Sequence, residues 1–194
     1  MQPYDLLTIG HSNLSAERFM ALLASAGVTA VADVRSVPFS RRCPWFSGKA
    51  LAERLAGERI AYIALGEALG GRPRDSTLYR DGIADYEAMA ARPEFAAGLA
   101  RLIDATSRQR VCLLCAEREP LDCHRCLLVG RALCERGLTL GHIRPNGSIE
   151  PHAATEERLI ALAGGEADLF RGSADRLAHA YRRRAHAVAA RLKT

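Results

Sequence analysis

Short apolar runs alternate along the chain with segments of helical spacing, and polar loops or glycines separate them. Residues 5–10 form an apolar run ending in Gly10 and read as a buried strand. Ser15 can cap a helix to about Ala26, with Phe19, Leu22 and Leu23 on one face, and Gly27 ends it. Residues 28–34 (VTAVADV) are a second strand, followed by a polar loop over 35–47. A helix over 48–56 stops at Gly57, and residues 60–65 are a third strand. Residues 66–82 have no periodicity and read as a long loop, a kind of segment that often carries function. Helical spacing returns over 83–91. It restarts after Pro93, with Phe95, Leu99, Leu102 and Ile103 as its apolar stripe. Residues 110–115 are a fourth strand, Asp122 caps a helix to about Arg136, and residues 138–143 are a fifth strand.

Strands alternating with helices specify a parallel sheet with right-handed crossovers. The expected fold is α/β: a three-layer, Rossmann-like, mostly parallel five-stranded sheet of order 3-2-1-4-5 with a C-terminal helical tail. Residues 1–147 are the expected α/β domain. Residues 148–194 are the expected helical extension, with an Ala-rich basic helix over 176–193.

With 48% hydrophobic and 25% charged residues, the chain has the balance of an ordinary globule. No apolar run reaches the ~18 residues that cross a bilayer, and residues 1–10 lack the pattern of an export signal. A cytoplasmic location with no membrane partner is therefore expected, and there the six cysteines are thiols or ligands rather than disulfides. The net charge is +5, and of 27 basic residues only Lys49 and Lys193 are lysine. Arginine suits carboxylate and phosphate partners, although a high-GC genome also favours it.

The ends of the expected strands collect unusual polar residues. His11 and Ser12 follow the first strand. Asp33 ends the second, and Arg35, Ser40, Arg41 and Arg42 follow. Arg72 follows the third, Cys115 and Glu117 the fourth, and His142 lies near the end of the fifth. In an open parallel sheet these ends share one edge, where ligands bind. The segment 115–125 (CAEREPLDCHR) is the sharpest element. A helix start at Cys123, His124 and Arg125 offers free N–H groups to an anion and lowers a thiol pKa. Cys115 is the candidate nucleophile or redox thiol, and Glu117 or His11 would move protons. Ser12, Arg35, Ser40, Arg41, Arg72, Cys123, His124 and Arg125 would hold the anion. Packing for the two cysteines and scaffolding for the histidines stand beside these roles. Asp33 can pair with one of the arginines.

Three tempting patterns carry less. Cys112, Cys115, Cys123 and Cys126 have the spacing of a four-thiolate zinc site, but strand residues three apart face opposite sides, so no metal is assigned. Cys112 to Arg118 has the C-x5-R spacing of cysteine phosphatases but lacks glycine in between. GEALGGRP (66–73) lacks the Lys and Ser/Thr of a Walker A loop, and no G-x-G-x-x-G follows the first strand.

The segments TIGHSN (8–13), VADVRSVPFSRR (31–42), LGGR (69–72), CAEREPLDCHR (115–125) and GHI (141–143), in this order, resemble the family catalogued as domain of unknown function 488. The resemblance implies a three-layer α/β fold of cytosolic prokaryotic proteins and no particular reaction. Its motif residues match His11, Ser12, Asp33, Arg35, Ser40, Arg41, Gly71, Arg72, Cys115, Glu117, Cys123, His124 and Arg125, and omit Cys112 and Cys126.

Three functions remain open on the sequence. One is an enzyme acting on a small anionic, phosphorylated or nucleotide-like substrate. Another is a nucleic-acid-binding or repair-associated module. The third is a metal or thiol-redox site drawn from His11, Cys115, Cys123, His124 and His142. The sequence names no cofactor and no oligomeric state.

Overall fold

The computed structural model describes residues 3–164 and 172–191. The last residues of the expected C-terminal helix, 192 and 193, lie outside the described residues, as do 165–171 of the tail. The elements run β1 (Leu6–Gly10), α1 (Ala16–Ser25), β2 (Ala30–Asp33), α2 (Gly48–Gly57), β3 (Ala61–Ala64), α3 (Gly66–Leu69), β4 (Tyr79–Arg80), β5 (Ile83–Ala84), α4 (Tyr86–Ala90) and α5 (Pro93–Thr106). Then come β6 (Val111–Cys115), a π-helical segment (Arg125–Gly130), α6 (Arg131–Cys134), β7 (Leu140–Ile143), β8 (Ile149–Pro151), α7 (His152–Leu162) and α8 (Ser173–Arg191).

The main sheet has six strands in the order β3-β2-β6-β1-β7-β8. All neighbours are parallel except β7 and β8. The expected α/β architecture is present, but the order differs at one place: the fourth expected strand, β6, lies between β1 and β2. LLTIG and VCLLC are both fully buried, so both take the middle of the sheet. Hydrophobicity makes both central and leaves their neighbours undetermined. The sixth strand is short and polar-flanked, and pairs with β7 across a turn through Gly147 (φ 96°).

Alternate strand residues feed two cores. Leu7, Ile9, Val31, Cys112 and Leu114 meet Phe19, Leu22 and Leu23 of α1 and Leu51 and Leu55 of α2. Leu6, Ala32, Leu113 and Leu140 meet Phe95, Leu99 and Leu102 of α5, the π-helical segment, and Leu159, Tyr181 and Val188 of α7 and α8. Cys112 therefore faces one layer and Cys126 the other, and the four-thiolate set of C-x2-C pairs is not assembled. Residues 66–82 hold α3 and half of the β4–β5 hairpin rather than one long loop, and Ile83–Ala84 is a strand ahead of α4. Asp122 does not cap a helix. It closes a 3-10 turn over Pro120–Asp122 and takes Arg184 and Arg191 of α8 as partners.

The C-terminal segment is joined to the sheet edge by charge as well as packing. Glu119 accepts from Arg144 (2.9 Å) and Arg158 (2.8 Å), and Arg158 also reaches Glu150 (2.7 Å). A buried file of groups runs beneath. Arg125 Nε donates to Thr8 Oγ1 (3.4 Å), which lies 2.7 Å from His142 Nδ1. His142 Nε2 lies 3.0 Å from His152 Nδ1, His152 Nε2 lies 2.9 Å from the Tyr181 hydroxyl, and that hydroxyl donates to Glu156 (2.8 Å). With Tyr181 donating to Glu156, each ring carries its proton on Nε2 and every buried polar atom in the file is matched.

Two predictions follow from this packing. Burial opposes ionisation of Glu119, but the hydrogen bonds from Arg144 and Arg158 prevail and bring its pKa from 4.5 down to about 2. The stabilisation is therefore complete above pH 4.5 and fades as pH falls towards 2. Glu119→Gln should lower stability by about 1–2 kcal/mol at pH 7, allowing for solvent screening, and the gap to wild type should shrink between pH 5 and pH 2 in denaturant melts. A gap independent of pH would contradict this. At the end of β1, a Cβ on Gly10 would stand 1.8 Å from the Glu117 carbonyl oxygen and 3.0 Å from Arg125 Nη1. Gly10→Ala should thus cost about 3–5 kcal/mol by forcing the loop after β6 away from β1; an unchanged melting curve would refute that contact.

Candidate functional site

The register places Gly10 beside Cys115 and Asp33 beside Leu114 and Ala64, so the parallel strands end on one edge. The backbone continues the pairing past the strands: His11 N–H donates to Cys115 O (2.9 Å) and Ser12 N–H to Ala116 O (2.8 Å). A cleft of about 350 Å³ opens there, lined by His11, Arg35, Ser36, Val37, Phe39, Ser40, Gly71, Arg72, Cys115, Ala116, Glu117 and His124. The eleven site residues picked from the sequence do not all enter it. His11, Arg35, Ser40, Arg72, Cys115, Glu117 and His124 meet in the cleft, whereas Ser12, Arg41, Cys123 and Arg125 are not among its lining residues.

One wall is a locked ion pair. Asp33 takes Arg35 through both carboxylate oxygens (2.8 and 2.5 Å) and also accepts from the Tyr62 hydroxyl (2.8 Å). Arg35 Nη1 points at His11 Nε2 (3.2 Å), and His11 Nδ1 lies 2.9 Å from the Ser12 carbonyl oxygen. Arginine can only donate, so Nε2 is the acceptor and the imidazole proton sits on Nδ1. Burial, with help from the Arg35 charge, lowers the His11 pKa to about 4. His11 also stacks on Phe46, with ring centroids 4.3 Å apart. Its lone pair is already occupied, which makes it a fixed neutral wall.

Arg72 differs from Arg35. Its backbone N–H is anchored on Ser36 Oγ (2.8 Å), its side chain is exposed, and among the described residues no carboxylate forms an ion pair with it. Val37 and Phe39, each 66% exposed, form an apolar rim beside it.

The floor is a cluster of four donors. Glu117 Oε2 lies 2.9 Å from Cys115 Sγ and 3.1 Å from Cys123 Sγ. His124 Nδ1 lies 3.6 Å from Cys115 Sγ and 3.9 Å from Cys123 Sγ. His124 Nε2 lies 2.8 Å from the Val34 carbonyl oxygen, so Nε2 carries a proton and Nδ1 faces the sulfurs. The ring packs flush on Gly71, where a Cβ would stand 2.6 Å from it. Burial drives the Cys115 thiol well up, and its acidic neighbours add to the rise. At Cys123 burial is outweighed by the hydrogen bond to Cys115 and the charges of Arg125 and His124, which hold the thiol well below its usual range. Burial also raises Glu117.

Arg125 serves the cluster from behind. Only 1% exposed, it donates from Nη1 to Glu117 O (2.5 Å) and from Nη2 to Arg118 O (3.1 Å), and its backbone N–H points at Cys123 Sγ (3.4 Å). The guanidinium is used on backbone carbonyls and does not face the cleft. His142, at 0% exposure, belongs to the buried file beneath the sheet edge.

A larger hollow of about 560 Å³ lies between the β4–β5 hairpin, α4, the π-helical segment and α8. Its arginines already have partners: Arg131 and Arg182 face Glu87, and Arg80 pairs with Asp85. Sequence reasoning missed Ser36, Val37 and Phe39 as cleft residues, along with the Tyr62 partner of Asp33. Tyr62 had no local signal, and an exposed apolar pair in the VPF segment was the available hint of a rim.

Among the described residues no helix is long and apolar enough to cross a membrane. No curated protein and no solved structure is similar enough to the chain to match it. A family model, Domain of unknown function DUF488, matches residues 15–132, which run from the start of α1 into α6 and hold Arg35, Arg72 and the whole four-donor cluster. The chain belongs to the DUF488 family.

Proposed function

We propose that the cleft binds a small anion, phosphorylated or nucleotide-like, and that the Cys115–Glu117–Cys123–His124 cluster at its floor acts on it as the reactive centre of an enzyme. The observation that carries this reading is the meeting, in one 350 Å³ cleft, of Arg72, which has no ion-pair partner among the described residues, with donors drawn from β6 and the segment before the π-helix. That volume lies at the small end of ligand pockets. Arg72 supplies the free charge and Ser36 and Ser40 supply hydroxyls, while Arg35, held by Asp33 and His11, forms the wall beside them. The exposed Phe39 ring gives a base or other flat group a surface to stack on, which favours a nucleotide-like molecule over a bare ion.

A nucleic-acid strand is less well served. It needs a run of free cations, and on α8 Arg182 faces Glu87, Arg184 holds Asp122 and Arg183 reaches the Ala163 carbonyl.

Titration calorimetry with inorganic phosphate, adenosine monophosphate and uncharged adenosine tests the reading. The monophosphate should bind more tightly than phosphate, and adenosine should bind least. Arg72→Ala should weaken both charged probes roughly tenfold, while Phe39→Ala should weaken the monophosphate alone. Adenosine binding as well as the monophosphate, or charged probes indifferent to Arg72→Ala, would overturn it.

A further inference from the structure

We infer that Cys115, Glu117, Cys123 and His124 form a binding site for a single divalent zinc-class ion at the floor of the cleft. The inference deepens the function proposed above by naming the group that would act on the anion, and it stands or falls separately from that reading.

The donor set comes first. Two sulfurs, an imidazole nitrogen and a carboxylate oxygen are a borderline-soft mixture that suits zinc, and all four atoms lie within 4.8 Å of one another. A tetrahedral zinc site with ordinary bond lengths has ligand-to-ligand edges of about 3.3–3.8 Å. The sulfur–nitrogen edges here are 3.6 and 3.9 Å. The sulfur–oxygen edges are shorter, 2.9 and 3.1 Å, and a small outward turn of Glu117 about its side chain opens them.

The surroundings of the donors match those of metal ligands. A ligating histidine ordinarily donates its other ring N–H to a carbonyl or carboxylate, which fixes the ring and its tautomer. His124 does this to Val34 O, and Gly71 leaves the space for the ring to lie flat in that orientation. The Arg125 backbone N–H points at Cys123 Sγ, and the Arg125 side chain holds the Glu117 and Arg118 carbonyls, so the loop bearing the carboxylate is fixed from behind.

A second buried group, Cys126 with His142 and His152, makes the contrast clear. There the four ring nitrogens bond to Thr8, to each other and to Tyr181, which leaves no lone pair for an ion. In the first cluster His124 Nδ1 meets only sulfur.

The position gives the ion a role. Cys115, Glu117 and His124 line the cleft in which Arg72 is the one side-chain cation without an ion-pair partner among the described residues. A divalent ion held by these donors would add to the free charge that Arg72 brings to the cleft. Glu117 is the hard, exchangeable ligand of the four, so an oxygen of a bound anion could replace it or join it on the metal.

The test uses the full chain, purified without a histidine tag. Metal analysis after equilibration with zinc and removal of free ion should give about one equivalent. Cys123→Ser and His124→Ala should each retain about tenfold less, whereas Cys134→Ser, outside the cluster, should retain it fully. Because a ligand variant can also fail to fold, the intact chain loaded with cobalt(II) provides a second reading. It should show the strong visible bands of a tetrahedral ion and the near-ultraviolet charge transfer of a thiolate ligand. Zinc content no higher than in His124→Ala, or a Cys115–Cys123 disulfide in the freshly purified chain, would overturn the assignment. Metal bound normally while Arg72→Ala leaves phosphate affinity unchanged would sink the anion reading alone. Phosphate affinity that depends on Arg72 in a chain that takes up no zinc would sink the metal alone.

Discussion

The site edge of this protein depends on one buried cation. Arg125 lies among the core residues at the start of the π-helical segment, and no carboxylate forms an ion pair with it among the described residues. A guanidinium there must find acceptors for its N–H groups or the fold loses several kcal/mol. It finds them in the carbonyls of Glu117 and Arg118 and in the Thr8 hydroxyl. Those contacts set the path of the loop after β6, and that path puts Glu117 beside both sulfurs. Gly10 is the matching constraint on β1, since only a residue without Cβ lets the Glu117 carbonyl come so close. Loop, strand end and helix start are thus held by one side chain whose charge is turned inward.

The same economy of charge explains which arginines can meet a ligand. Sequence reading treats Arg35, Arg41, Arg72 and Arg125 alike because each follows a strand or opens a helix. Burial and pairing separate them. Arg125 is bound to carbonyls, Arg35 to Asp33, and Arg41 is exposed outside the cleft lining, which leaves Arg72 as the one of the four that lines the cleft with no ion-pair partner among the described residues. Strand-end position brings these residues to one edge, but it says little about which members are scaffold, since that depends on partners distant in sequence.

Much of the architecture was legible for a simple reason: the five parallel strands are apolar enough to register without any long-range information. The strand order was not, because β1 and β6 have equally buried sequences and pattern cannot say which of them neighbours β2. The edge strand β8 and the 3-10 and π turns around Cys123 were also invisible. Ile149–Pro151 is too short to show alternation, and Asp122 has the chemistry of a helix cap while binding Arg184 instead. The CAEREPLDCHR segment was recognisable as the centre of interest. What the sequence could not show is that Cys115 and Cys123, eight positions apart, bring their sulfurs to the same carboxylate oxygen.

The C-terminal helices bear on the same point. The file from Arg125 through Thr8, His142, His152 and Tyr181 to Glu156 joins a cation at the site to a carboxylate on α7 through neutral groups whose donors all run one way. Reversing any member would set two donors or two acceptors face to face in the core, at the cost of an unmatched buried polar group. The file therefore fixes the Thr8 hydroxyl as an acceptor toward Arg125, which keeps the guanidinium oriented on the Glu117 and Arg118 carbonyls. Through this sequence of contacts, helices that contribute nothing to the cleft lining still help determine where its floor lies.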